Sequence, residues 1–203
     1  MPSYRLILAS TSPRRRQLLT AAGYVFEACD PGDAEDAIQH AATPGTLAVE
    51  KARLKARAAV QALTGARPAI VIGADTLVAA GGDVLGKPVD RADAKCILTR
   101  LSGTRHQVIS GVCVWPVLAQ DRPATPWTAE VSTWVTMRKV EPSEIDAYVA
   151  SGESDGKAGA YAIQEKGDTF VESLDGSFAN VVGFPIELFQ ETLPRLLKEW
   201  GLE

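Results

Sequence analysis

The chain has 203 residues, 46% of them apolar, with 21 basic against 25 acidic side chains and a formal charge of −4. That length and composition suit one domain, or two tightly joined lobes, with a sizeable core. The acidic balance excludes non-specific gripping of nucleic acid, which needs a net basic surface, so groups that bind anions must be local.

Strand and helix patterns alternate from the start. Tyr4 to Ala9 is an apolar strand, Pro13 to Ala22 a helix ending at Gly23, and Tyr24 to Cys29 a second strand. An acidic loop follows, with Asp30, Asp33, Glu35 and Asp36. Thr46 to Leu63 is an Ala-rich helix, and Ala69 to Ile72 a short buried strand. Asp90 caps a helix reaching Leu101. Two β-prone segments, 106–117 and 128–140, flank a Pro-rich loop from Gln120 to Trp127 and suggest a hairpin. Glu144 to Ala150 is helical, Phe170 to Leu174 a strand, and Pro185 opens a last helix. The expected class is α/β with a mixed sheet in a single domain over 1–203.

Cys29, Cys96 and Cys113 are far apart and odd in number, and only two histidines occur, His40 and His106. A disulfide framework, a thiolate zinc site and a His-rich metal site are therefore not expected. No run approaches the roughly 18 apolar residues of a membrane helix. Arg5 and Arg14 to Arg16 break up the apolar stretch near the N-terminus, so the expectation is a soluble, cytoplasmic protein without signal peptide or membrane partner.

Four constellations could carry chemistry. Ser10-Thr11-Ser12-Pro13-Arg14-Arg15-Arg16 follows a strand, with Ser12 as cap and Pro13 in the first helical position. Free N–H groups there would point at the strand end, and cations stacked against the helix dipole suggest a bound anion. The same residues also fit a capped helix with solvated arginines. Asp75 in Gly73-Ala74-Asp75-Thr76, at the carboxyl end of a buried strand, could deprotonate a water or help hold a divalent cation, or could simply form a turn. Lys87 in Leu85-Gly86-Lys87-Pro88 offers a compact charge to a phosphate, or is a solvated loop lysine; Lys51 has the same ambiguity. In Lys157 to Gln164 small residues allow close approach and Gln164 can read a base edge, or the segment is tightly packed core. The turn-rich run 176–185 is read as structural.

The ordered set LASTSPRR (8–15), EKA (50–52), GADTLV (73–78), LGKP (85–88), LSGTRHQV (101–108), KAGAYAIQ (157–164) and GSFANVVGFP (176–185) resembles the Maf family of nucleotide pyrophosphatases over nearly the whole chain. The resemblance implies an elongated, twisted mixed sheet with flanking helices and two lobes around a cleft, a fold of the Maf/Ham1 type. It implies water attack on a nucleoside triphosphate that releases pyrophosphate, with a divalent cation (Mg, Mn or Co) as cofactor and a tendency to homodimers. It makes Asp75 the proton acceptor, gives phosphates to Ser10, Arg14, Arg15, Lys51 and Lys87, and puts Glu35 beside Asp75 at the metal. Arg14, Thr76 and Gln164 side with the branch acting on dTTP and UTP rather than the 7-methyl-GTP branch. The chain departs from the family in three places: Gly156 stands for a common Asp, the pair Glu165-Lys166 for a common Gly, and Ala34 for a common acid. A non-catalytic nucleotide-binding regulator of cell division and a nucleotide-dependent transferase are the alternatives. The absence of a GxxxxGK[ST] loop weighs against a P-loop transferase.

Overall fold

The computed structural model describes residues 4–64, 68–118, 125–164 and 166–203. Residues 120–124 of the expected Pro-rich loop, and Glu165, lie outside them. Strands β1 (Arg5–Ala9), β2 (Glu27–Cys29), β3 (Ala69–Ala80), β4 (Asp83–Leu85), β5 (Arg105–Val117), β6 (Trp127–Met137) and β7 (Val171–Asp175) form a seven-stranded sheet in the order β2-β1-β3-β5-β6-β7, with β4 on β3. β1 is parallel to β2 and to β3, while β3/β4 and β6/β7 are antiparallel, so the sheet is mixed. The helices are α1 (Pro13–Ala21), α2 (Pro44–Ala62), α3 (Arg91–Leu101), α4 (Pro142–Ala150), α5 (Phe178–Val182) and α6 (Ile186–Trp200). No helix among the described residues is long and apolar enough to cross a membrane.

The chain divides into two compact units: Met1–Asp75, Ser110–Val131 and Gly183–Glu203 make the first, Thr76–Ile109 and Ser132–Val182 the second. In the first unit the two-residue period of the strands sorts side chains to two faces. Leu6, Leu8, Ile70, Ile72, Ala74, Val112 and Val114 join one apolar cluster with Leu19 of α1 and Phe189, Leu193 and Leu196 of α6. Ile7, Ala9, Ala69, Val71 and Cys113 face the other way, onto Ala52, Ala56 and Ala59 of α2. The second unit has its own core, in which Val78, Leu98, Val108, Val135, Met137, Tyr148 and Phe170 pack together.

Helix starts follow the sequence closely. The Oγ of Ser12 accepts from the Arg15 N–H, Thr43 caps α2, and Asp90 caps α3 by accepting from the Asp93 N–H. Glu141 and Glu144 form a reciprocal capping box at α4. Two strand expectations need correction. Only Glu27–Cys29 of the second strand pairs with β1, because Tyr24 and Phe26 turn onto the α1/α6 cluster instead; Tyr24 meets Phe189 edge-on at 5.2 Å. β3 does not stop at Ile72: its apolar pattern runs on through Thr76-Leu77-Val78-Ala79-Ala80, which finds a partner in β4 (Val78 opposite Leu85). Asp75 therefore lies inside a 12-residue strand, not at its carboxyl end.

Candidate functional site

The period of β3 decides where Asp75 points. It shares its face with Val71 and Gly73, the face covered by α2. α2 lies unusually close there. A Cβ on Gly73 would sit 2.1 Å from the Ala52 carbonyl oxygen, and one on Gly111 would sit 2.2 Å from the Ala48 backbone. Glycine on the strands and alanine on the helix thus let two backbones approach where no larger side chain fits.

That approach brings Lys55 into the site. Its Nζ donates to Asp75 Oδ1 at 2.7 Å and pairs with Glu35 Oε1 at 2.9 Å, and all three side chains are largely withdrawn from water. Glu35 reaches it from a short 3-10 turn, Ala34–Ala37. Lys55 was not anticipated; Lys51, one turn earlier on α2 and half-buried, stood in its place. A signal was there to be read. Ala48, Ala52, Lys55, Ala56 and Ala59 make one helical stripe, and a lysine among alanines on a buried stripe needs a carboxylate.

The cationic turn meets the same acids. β1 runs beside β3 with Ala9 opposite Gly73, so Ser10 and the start of α1 follow directly alongside Ala74 and Asp75. Arg15 is buried: Nη1 donates to Ser10 Oγ at 3.3 Å and Nε to the Gly183 carbonyl at 2.9 Å. Burial lowers its pKa, attraction to Asp75 and Glu35 raises it, and neighbouring Arg14 lowers it further. An arginine keeps its proton through such shifts, so a fixed positive charge faces the two carboxylates. Arg14 is half-buried and Arg16 exposed. The expectation of free N–H groups at this turn is partly corrected. The Ser12 N–H donates to Ser10 Oγ and the Arg15 N–H to Ser12 Oγ, because hydroxyls at both positions satisfy them locally. The run 176–185, read as structural, supplies through Gly183 the acceptor that orients Arg15.

In the second unit, Thr76 is half-buried on β3, while Lys87 and Gln164 are exposed. The segments carrying the last two are joined: the Gly159 N–H donates to the Gly86 carbonyl at 3.1 Å. Among the described residues no cluster of three or more His, Cys, Asp or Glu side chains could hold a metal. Glu35 and Asp75 nevertheless converge on one cationic point, the Lys55 ammonium. Two carboxylates with further oxygens from a triphosphate would suit a hard divalent cation.

The sequence profile of the Maf-like protein family matches residues 5–196. A dTTP/UTP pyrophosphatase of Anaeromyxobacter dehalogenans is 44% identical over 186 residues, 90% of this chain and 89% of that one. One of Deinococcus radiodurans is 43% identical over 199 residues, 98% of this chain and 94% of its own. The solved HAM1 protein of Coxiella burnetii aligns with 95% of this chain and 99% of that one at 14% identity and a TM-score of 0.46.

Proposed function

The chain belongs to the Maf-like protein family, and from that premise we propose that it hydrolyses dTTP and UTP to the monophosphate and pyrophosphate. The observation that carries the proposal is the meeting of two acids, buried Asp75 and half-buried Glu35, with two buried cations, Lys55 and Arg15. A triphosphate needs both kinds of group: cations to bear its charge and a carboxylate to take a proton from water.

In this reading Asp75 is the general base. Lys55 binds Oδ1 and fixes the carboxylate, leaving Oδ2 to accept the proton. The water oxygen bonds to the α-phosphorus, the bond to the bridging oxygen breaks, and pyrophosphate departs. Charge building on the leaving group is offset by cations already held in place, so little reorganisation is needed at the moment of reaction. Ser10, Arg14 and Arg15 hold phosphate oxygens at the start of α1, with Lys51 and Lys87 as further phosphate contacts. Thr76 and Gln164 select the pyrimidine base.

Glu35 and Asp75 would hold a divalent cation (magnesium, manganese or cobalt) together with substrate oxygens. When bound, it supplies Lewis-acid polarisation of the phosphates. The reading includes a cytoplasmic, homodimeric protein. The test is turnover of dTTP, UTP, CTP and GTP with each divalent ion, with pyrophosphate and orthophosphate detected separately. Pyrophosphate from dTTP and UTP is expected; orthophosphate as the first product would overturn the proposal.

A further inference from the structure

The backbone of the segment that ends in Gln164 is unusual. Gly159 and Ala160 are consecutive left-handed residues, at φ +70° and +59°, and Ala160 is the one non-glycine with positive φ among the described residues. A side chain disfavours that conformation, so the surroundings must impose it. Gly159 lies against Val78 so closely that a Cβ would come within 2.8 Å of a valine methyl. Its N–H is tied to Gly86. The next residue but one, Tyr161, is buried, and its hydroxyl lies 2.7 Å from Nε2 of His106 on β5, with the rings edge-on at 5.6 Å between centroids.

His106 has no exposed surface, and its Nδ1 has no hydrogen-bond partner among the described residues. Half of the imidazole's polar capacity is thus buried unanswered, which costs stability that a leucine or phenylalanine would not. Packing therefore does not account for a histidine at this position, whereas the hydroxyl it holds does.

We infer that His106 is a positioning residue for nucleotide recognition: through the Tyr161 hydroxyl it fixes the left-handed turn that presents Gln164, and through Gly159 and Gly86 the loop that carries Lys87. The inference rests on the reading of Gln164 as the base-selecting side chain. An apolar contact alone would let the Tyr161 ring rotate and slide; one short hydrogen bond to a residue on a long strand sets both its depth and its angle. Burial pushes the imidazole down to about 4, so it stays uncharged, and keeps the same bond, across the neutral range.

Tyr161→Phe removes one oxygen and keeps the ring, which makes it the gentlest test; His106→Asn is the partner variant. The readouts are Kd for non-hydrolysable analogues of dTTP and GTP, kcat and KM on dTTP, and amide hydrogen exchange over 157–164. Loss of one buried hydrogen bond predicts a roughly tenfold rise in Kd and KM for the thymine nucleotide. Preference over guanine should fall by a similar factor, kcat should stay within about threefold, and exchange in the segment should be faster. Unchanged Kd and base preference in folded Tyr161→Phe would overturn the inference, as would a loss of kcat with KM and Kd intact. A parent enzyme that binds dTTP but releases no pyrophosphate would defeat the proposed reaction alone, since analogue binding still decides the role of His106.

Discussion

Lys55 Nζ lies 2.7 Å from Asp75 Oδ1, a contact between a helix and a strand set 20 residues apart and closed over by packing. The same ammonium holds Glu35, so a single buried cation compensates two carboxylates. Removing it strands both. Lys55→Met should destabilise the fold by about 3–5 kcal/mol, the usual cost of breaking a buried ion pair from one side. Adding Asp75→Asn to that variant should restore part of the loss. Urea unfolding of the two singles and the double checks this; additive losses would mean that the pair is not coupled.

The close seat of α2 on the sheet gives a prediction at the glycines. Gly73→Ala and Gly111→Ala force a methyl against helix backbone, which cannot move aside like a flexible side chain. Each should cost about 1–3 kcal/mol or more and lower Tm by several degrees. Gly23→Ala, at φ +84° with nothing near its Cβ, should cost only about 1 kcal/mol from backbone strain. Thermal melts of the three compare them directly; equal losses would contradict the packing argument.

Arg14 and Arg15 are adjacent but differently placed. Arg15 is buried and donates to Ser10 and Gly183, whereas Arg14 is only half-buried. Arg15→Gln should therefore lose both stability, by about 2 kcal/mol or more, and activity. Arg14→Ala should keep its Tm within about 2 °C, since partly exposed substitutions away from core contacts cost little, while KM for dTTP rises. Chemical unfolding alongside steady-state kinetics separates the two cases.

His106 gives a pH dependence whose sign is fixed. Burial lowers its pKa from 6.5 to about 4, so between those values the unfolded chain binds more protons than the folded one. Stability is then full above pH 6.5 and falls as pH drops through that window, by about 1 kcal/mol on going from pH 7.5 to 5.5. His106→Asn should lack this component. Urea unfolding of both proteins at the two pH values tests it, and parallel pH profiles would contradict it.

Much of this was legible in the sequence because the local signals are strong. Ser12-Pro13 and Asp90 fix helix starts by side-chain capping, and the alternation in β1 and β3 fixes which face each residue takes. The convergence of the arginine turn with Asp75 follows from parallel pairing of two neighbouring buried strands, β1 and β3. Lys55 escaped because its meaning depends on a tertiary contact. EKA drew attention to Lys51, and only the depth of α2 against Gly73 and Gly111 reveals which lysine is inside. The extent of β3 was missed because β4 is three residues long and carries no periodicity of its own. The link from Gly183 to Arg15 spans 168 positions and leaves no local trace at all.

The central claim is that the carboxylate of Asp75 takes the proton from the attacking water. The decisive measurement is pyrophosphate release from dTTP by Asp75→Asn against the parent enzyme, at matched divalent ion and with folding verified by circular dichroism. A fall in kcat of about 10²–10⁴ with the fold retained is predicted, the scale on which a general base contributes. Turnover within a few-fold of the parent, with pyrophosphate still the product, would remove Asp75 from the chemistry.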